Sequence, residues 1–348
     1  MTMLADRVDA VIGVDTHKRT HTAAVVTPTG GLVEHRTAPS DGRGIERLLA
    51  FAQRRAPGRR VWAIEGTGSY GAGLTSALLE RGEWVVEIDR PKRRRRDGAK
   101  SDELDALRAA REVLGRDHLA GPRRRGDREA LRVLLCTREA AVRTRTRSIA
   151  ALHALVVCAP EAIRCRLRGL RTDALVRHCA RLRPSVGRST EHRATLTAMR
   201  STARRVLACE AEAAELASAL AAIVATLRPD LLAEPGVGAV SAARILNAWS
   251  HPGRIRSEAA FAMLAGVASI VASSGQTVRH RLNRAGDRQL NRALHTIVMS
   301  RLRCDAETQA YTARRTAEGK TPREIRRCLK RYVARRIFRL LEDPARVT

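Results

Sequence analysis

VIGVD (residues 11–15), THTAAVV (20–26) and VWAIEG (61–66) decide the fold. Each is a short run of β-branched and small apolar residues bounded by polar or glycine positions, the pattern of a strand. LVEHRT (32–37) between the second and third adds another strand, and GIERLLAFAQRR (44–55) has the apolar spacing of a helix. Beyond them lie a helical stretch near GAGLTSALLERG (71–82), the strand WVVEI (84–88), the basic run RPKRRRR (90–96) and a helix beginning near Ser101. Strands and helices in this order predict one α/β domain over residues 9–120.

From Arg128 the strand pattern disappears, and Ala, Leu and Arg dominate an all-helical region over 128–228. Within it Leu196, Met199, Ala203, Val206, Glu210, Ala213, Ala217, Leu220, Val224 and Leu227 recur at alternating spacings of 3 and 4, a heptad seam. The seam predicts a coiled coil. Its expected use is a homodimer; the alternative is a helical hairpin within one chain, since Ala-rich seams pack equally well either way. After Pro229 come PGVG (235–238), SAARILNAW (241–249), a loop around SSGQ (273–276) and Arg-rich helical segments, a third module over 229–342. The predicted fold class is therefore α/β plus all-α.

Charge narrows the function. Lys and Arg number 65 against 36 Asp and Glu, a formal net charge of +29, which calls for a polyanion: DNA, RNA or an acidic membrane surface. No window approaches about 18 consecutive apolar residues, so membrane spanning is excluded. The first residues lack the basic start and apolar run of a secretory signal, and the expected compartment is the cytoplasm. Sixty of the 65 basic residues are Arg, a skew that GC-rich coding also produces, so clustering tells more than the total. Arg90–Arg96 holds six basic residues in seven positions, Arg93, Arg94, Arg95 and Arg96 among them, and Arg314–Arg339 holds eleven against Glu318 and Glu324. Both blocks predict phosphate contacts without base preference. Seven cysteines, an odd number without a C-x-x-C pair, suggest neither a disulfide framework nor a zinc site, and are read as reduced, mostly buried thiols. Aromatics at 3% argue against a base-stacking platform of the kind used by single-strand binders, which need rings.

The candidate chemistry lies in carboxylates. Asp15 closes the first strand and Glu65 a later strand of the same sheet, while Asp102 and Asp105 stand three apart on the following helix and share its face. Four carboxylates at one sheet edge repel one another unless a cation intervenes, and Mg²⁺ takes oxygen ligands of this kind for phosphodiester chemistry. His17, His21 and His280 show no metal-ligand spacing and read as surface or internally satisfied histidines. PGVG fits either a helix-hairpin-helix turn whose amides meet a phosphate or a plain turn between helices.

GVDTHKRTHTAAVV, IEGTGSYG and KSDELDA, in this order, resemble the three motifs of the DEDD transposases of the insertion sequence one-ten (IS110) family. AEPGVGAVSAARIL and FAMLAGVASIVASSGQTVRHRLNRAGDRQLNRAL are similar to that family's C-terminal transposase domain, although Ser269 stands where the family's segment leads one to expect Pro. The resemblance implies a RuvC-like, ribonuclease-H-type N-terminal domain, a coiled-coil insert and a helical C-terminal domain bearing a nucleophilic serine. It also implies a site-specific DNA recombinase, in many members guided by a structured bridge RNA; a homo-oligomer, dimer or tetramer, is expected from the seam. Residue by residue, the acidic quartet carries onto Asp15, Glu65, Asp102 and Asp105 and the serine onto Ser274, with the adjacent Ser273 as second choice. Arg279, Arg281, Arg284 and Arg288 follow in sequence and could neutralise charge developing at phosphorus. A RuvC-like nuclease using water as nucleophile, and a non-catalytic nucleic-acid-binding protein, are the competing readings.

Overall fold

The computed structural model describes residues 3–88, 101–183, 189–272, 277 and 280–343, and the chain divides into two compact units, Met1–Arg124 and Arg125–Thr348. In the first unit β1 (Ala10–Thr16), β2 (Thr20–Val26) and β3 (Leu32–Pro39) precede α1 (Gly42–Arg55), β4 (Arg60–Glu65), α2 (Ala72–Glu80), β5 (Val85–Ile88) and α3 (Asp102–Leu114). The strands form one sheet in the order β3-β2-β1-β4-β5, antiparallel from β3 to β1 and parallel from β1 to β5. This mixed five-stranded sheet with helices is ribonuclease-H-like, as the sequence predicts.

Burial on both faces explains the near-continuous apolar runs. Ile12, Val14, Val25, Trp62 and Ile64 point to one side, against Leu48 and Phe51 of α1 and Leu74 and Leu78 of α2. Val11, Val61, Ala63 and Val86 point to the other, against Ala109, Ala110 and Val113 of α3. Gly13 belongs to this second row. A Cβ there would stand 2.1 Å from the Ala106 carbonyl oxygen and 2.3 Å from the Ala110 nitrogen, so only glycine lets α3 rest directly on β1. At the far end of β4, Arg60 and the Trp62 indole, Nε1 at 2.9 Å, donate to the Glu83 carboxylate.

The second unit runs through α4 (Asp127–Cys158), α5 (Glu161–Leu167), α6 (Thr172–Ala180), α7 (Thr190–Leu227), α8 (Pro229–Ala233), α9 (Ala239–Trp249) and α10 (Glu258–Leu264). A two-stranded ribbon, β6 (Ile270–Val271) with β7 (His280–Arg281), then leads into α11 (Arg288–Cys304), α12 (Ala306–Ala317) and α13 (Pro322–Leu341). The predicted seam is real, and α4 of the same chain closes it. Met199, Ala203 and Val206 cluster with Leu152 and Val156, whereas Leu220 and Val224 cluster with Leu131, so the two helices run antiparallel. Cys209 is buried where the heptad spacing names Glu210, and the Glu210 carboxylate instead takes Arg145 of α4 at 2.7 Å.

The base of this hairpin joins a core of Trp249, Phe261, Leu290, Ile297, Leu329 and Ile337. Buried Arg228 donates to the Leu340 and Leu341 carbonyls, satisfying the C-terminus of α13, and pairs with Asp230 at 2.7 Å. The PGVG turn is bound into this core: Arg301 donates to the Pro235 carbonyl at 2.7 Å, and a Cβ on Gly236 would stand 3.0 Å from the Ile297 carbonyl oxygen. The thiols differ from expectation. Cys179 and Cys209 are buried, but Cys136, Cys158, Cys165 and Cys304 are exposed.

Candidate metal centre

The sheet's second face brings the acids together. Asp15 follows Val11 and Gly13 in the row under α3, and the parallel pairing of Val14 with Ile64 sets the end of β4, with Glu65, beside it. The Thr16 hydroxyl donates to the Glu65 carbonyl at 2.9 Å and ties the two strand ends. Above them α3 begins. The Ser101 hydroxyl caps it by accepting from the Leu104 N–H at 3.2 Å, which leaves Asp102, Glu103 and Asp105 in the first turn, where the helix dipole favours anions. The close contact at Gly13 fixes how far that first turn lies from Asp15.

A histidine completes the arrangement. The His17 N–H donates to the Thr20 carbonyl at 2.9 Å, closing the tight turn from β1 to β2. The His17 Nδ1 lies 3.7 Å from an Asp15 carboxylate oxygen and 3.6 Å from one of Asp102. Both separations exceed a hydrogen bond. This nitrogen is buried without a hydrogen-bond partner, although the ring is 41% exposed. One ligand atom from each of Asp15, His17 and Asp102 lies within 4.8 Å of the others. With metal–oxygen bonds near 2.1 Å, octahedral neighbours stand about 3 Å apart and opposed ligands about 4.2 Å, so the His17 separations fall inside the range one small divalent ion spans. Two carboxylates and an unpartnered imidazole nitrogen are a donor set such an ion accepts.

The sequence-derived quartet is only partly assembled. Asp15 and Asp102 meet, while Glu65 at the neighbouring strand end and Asp105, whose carboxylate takes Arg108 at 2.8 Å, stand outside the group that shares the 4.8 Å limit. His17 is the residue sequence reasoning missed, since its ring is neither plain surface nor satisfied. Its only signal was its position two residues after the strand-end Asp15, because β1 ends at Thr16 and the turn that follows places the ring. His21 is not in that group: burial holds its imidazole below the ordinary range, opposed by a hydrogen bond that the ring donates to the Thr20 backbone carbonyl.

In the second unit Ile270 pairs with Arg281 and Val271 with His280. Ser273, Ser274 and Arg279, which lie between those strands in sequence, fall outside the described residues, as do Arg93, Arg94, Arg95 and Arg96. Arg281, Arg284 and Arg288 are exposed. Among the described residues no helix is long and apolar enough to cross a membrane.

Residues 12–158 match the family model of the IS110 DEDD domain, described as Transposase, and residues 230–313 match a model described as Transposase IS116/IS110/IS902 family. No curated protein matches the chain.

Proposed function

Because the chain belongs to the IS110 family of transposases, DNA phosphoryl-transfer enzymes, we propose that it cuts and rejoins DNA through a serine–DNA link at a site served by the Asp15–Asp102 carboxylates. The observation that supports the metal half is the unpartnered, buried Nδ1 of His17 between two carboxylates. Asp15 and Asp102, with His17 beside them, would hold a divalent ion, expected as Mg²⁺, and Glu65 and Asp105 complete the proposed quartet. When bound, the ion neutralises charge on the phosphate and sharpens its electrophilicity.

Ser274 is the proposed nucleophile. Its Oγ forms a bond to phosphorus as the bond from phosphorus to the departing sugar oxygen breaks; the serine proton passes to a base and the departing oxygen gains one. One phosphoester replaces another, so the hydroxyl of a second DNA end can reverse the step and release the serine. Exposed Arg281, Arg284 and Arg288 supply cationic donors that follow Ser274 in sequence. A bridge RNA as guide and a homo-oligomer as the working form complete the reading. Since α4 covers the seam of α7, that oligomer uses another surface.

The experiment has two readouts. Calorimetric titration of the full chain with Mg²⁺ or Mn²⁺ should show binding that falls at least about tenfold in Asp15→Asn and His17→Ala and persists in Ser274→Ala. Denaturing gels should trap a covalent protein–DNA adduct that Ser274→Ala abolishes. Cleavage that survives Ser274→Ala without an adduct would replace the serine step by water attack.

A further inference from the structure

The C-terminal unit holds a cleft of about 510 Å³ between α13, the loop after α10 and the end of β7. Its size falls within the range of small-ligand sites, about 300–1,000 Å³. Arg281, Arg327, Lys330, Arg331 and Arg335 line it together with Tyr332. Arg331 and Arg335 pair with Glu258, at 3.0 and 2.8 Å. Among the described residues Arg281, Arg327 and Lys330 form no ion pair; the half-buried Lys330 ammonium donates only to the neutral Asn291 side chain, at 3.3 Å. The Arg331 Nη1 is buried without a hydrogen-bond partner. Burial and the neighbouring Arg327 charge hold Lys330 below the ordinary lysine range, the mark of a cation lacking its anion.

The walls are already built. Asn291 donates to the Ala265 carbonyl at 2.7 Å and Asn283 to the Met263 carbonyl at 2.9 Å, which pins the loop after α10. Gly266 and Gly286 cross so closely that a Cβ on Gly286 would stand 2.4 Å from the Gly266 nitrogen. Beside the cations lies an apolar wall. Tyr332 is 51% exposed yet its ring is steadied edge-on by Tyr311, centroids 5.6 Å apart, and Leu282 is 57% exposed. Cations without anions next to an open aromatic face match the two halves of a nucleotide: phosphate and base.

We infer that this cleft receives one unstacked nucleotide of single-stranded DNA, its phosphate on Lys330, Arg281 and Arg327 and its base against Tyr332. A recess of this size admits one residue of a strand and excludes a paired duplex. Ser269 and Arg281, which flank the serine-bearing segment in sequence, both line the cleft, so the nucleotide belongs to the strand being cut. That last assignment rests on the serine reading above; the cleft itself does not. An aromatic-poor protein thus uses a single ring where an extended platform is absent.

The test uses the full chain and a short fluorescein-labelled single-stranded DNA containing 2-aminopurine, beside its duplex and the RNA of the same sequence. Lys330→Gln removes a half-buried charge and Tyr332→Ala a half-exposed ring, so both variants should fold, as circular dichroism verifies. Lys330→Gln should weaken single-strand binding about tenfold and reduce the slope of log affinity against log salt by about 0.7. Tyr332→Ala should weaken it at least about fivefold and abolish the 2-aminopurine change, with duplex affinity unaltered. Unchanged single-strand binding, or equal losses on the duplex, would overturn the inference. RNA held more tightly than DNA with the same Lys330 dependence would overturn the DNA assignment. Loss of the serine adduct reading leaves these binding results untouched, so the two can fail separately.

Discussion

The two units place charge by opposite means. At the sheet edge Asp15 and Asp102 are set by backbone contact, since α3 lies on β1 at Gly13. In the helical unit a few carboxylates cross-link many arginines. Glu139 takes Arg244 and Arg292 at 3.1 and 2.9 Å, Glu234 takes Arg301 and Arg336 at 3.1 and 2.6 Å, and Glu258 takes Arg331 and Arg335. One region places its acids by backbone packing and the other its arginines by ion pairs, and each has its own way of breaking.

The largest expected effect is in the cross-linked unit. Glu234 and Arg301 are only 12% and 10% exposed, so Glu234→Gln leaves an uncompensated buried guanidinium and should cost about 4 kcal/mol, read by chemical denaturation. Gly13→Ala comes next. It forces α3 off β1 and should cost about 3 kcal/mol in the first unit while also weakening divalent-ion binding, whereas Gly238→Ala, with open space around its Cβ, should cost far less. If Gly13→Ala left ion binding intact, backbone contact would not be what places Asp102.

Acid sharpens the comparison within the first unit. Burial raises the Glu83 carboxyl, but hydrogen bonds from Arg60 and Trp62 and the Arg60 charge together outweigh it, so the net direction is down. A lowered folded-state pKa gives stability that is present above the ordinary glutamate range and lost as pH falls through the lowered value. The wild type should therefore lose stability in acid by up to about 2 kcal/mol from this group, and Glu83→Gln should flatten that dependence. The smallest effect is at the surface. Arg145 and Glu210 are 35% and 39% exposed, and Glu210→Gln should cost no more than about 0.5 kcal/mol, diminishing in salt.

Much of this was legible in the residues. VIGVD and VWAIEG read as strands because burial on both faces writes itself as a continuous apolar run, and a strand-end Asp15 with a first-turn Asp102 announces a shared edge. His17 was hidden because its placement depends on the turn that swings its ring over the strand end, not on composition. The seam of α7 was legible, but its partner was not: heptads specify a facing helix and never the chain it comes from. Cys209 is buried in place of Glu210 because a carboxylate resists burial, and Glu210 stays part-exposed on Arg145. The exposed cysteines escaped because cysteine is usually among the most buried residue types, a tendency these four do not follow.

The α4–α7 hairpin has one consequence for cooperativity. α7 has 38 residues, about 57 Å of helix, yet its large buried side chains gather at two ends, Met199 to Val206 with one core and Leu220 to Val224 with another, with only Cys209 and Ala213 buried between. Little side-chain volume couples the ends through that waist. Amide hydrogen exchange should therefore resolve two protection classes along a single continuous helix, the tip opening at a lower free energy than the base.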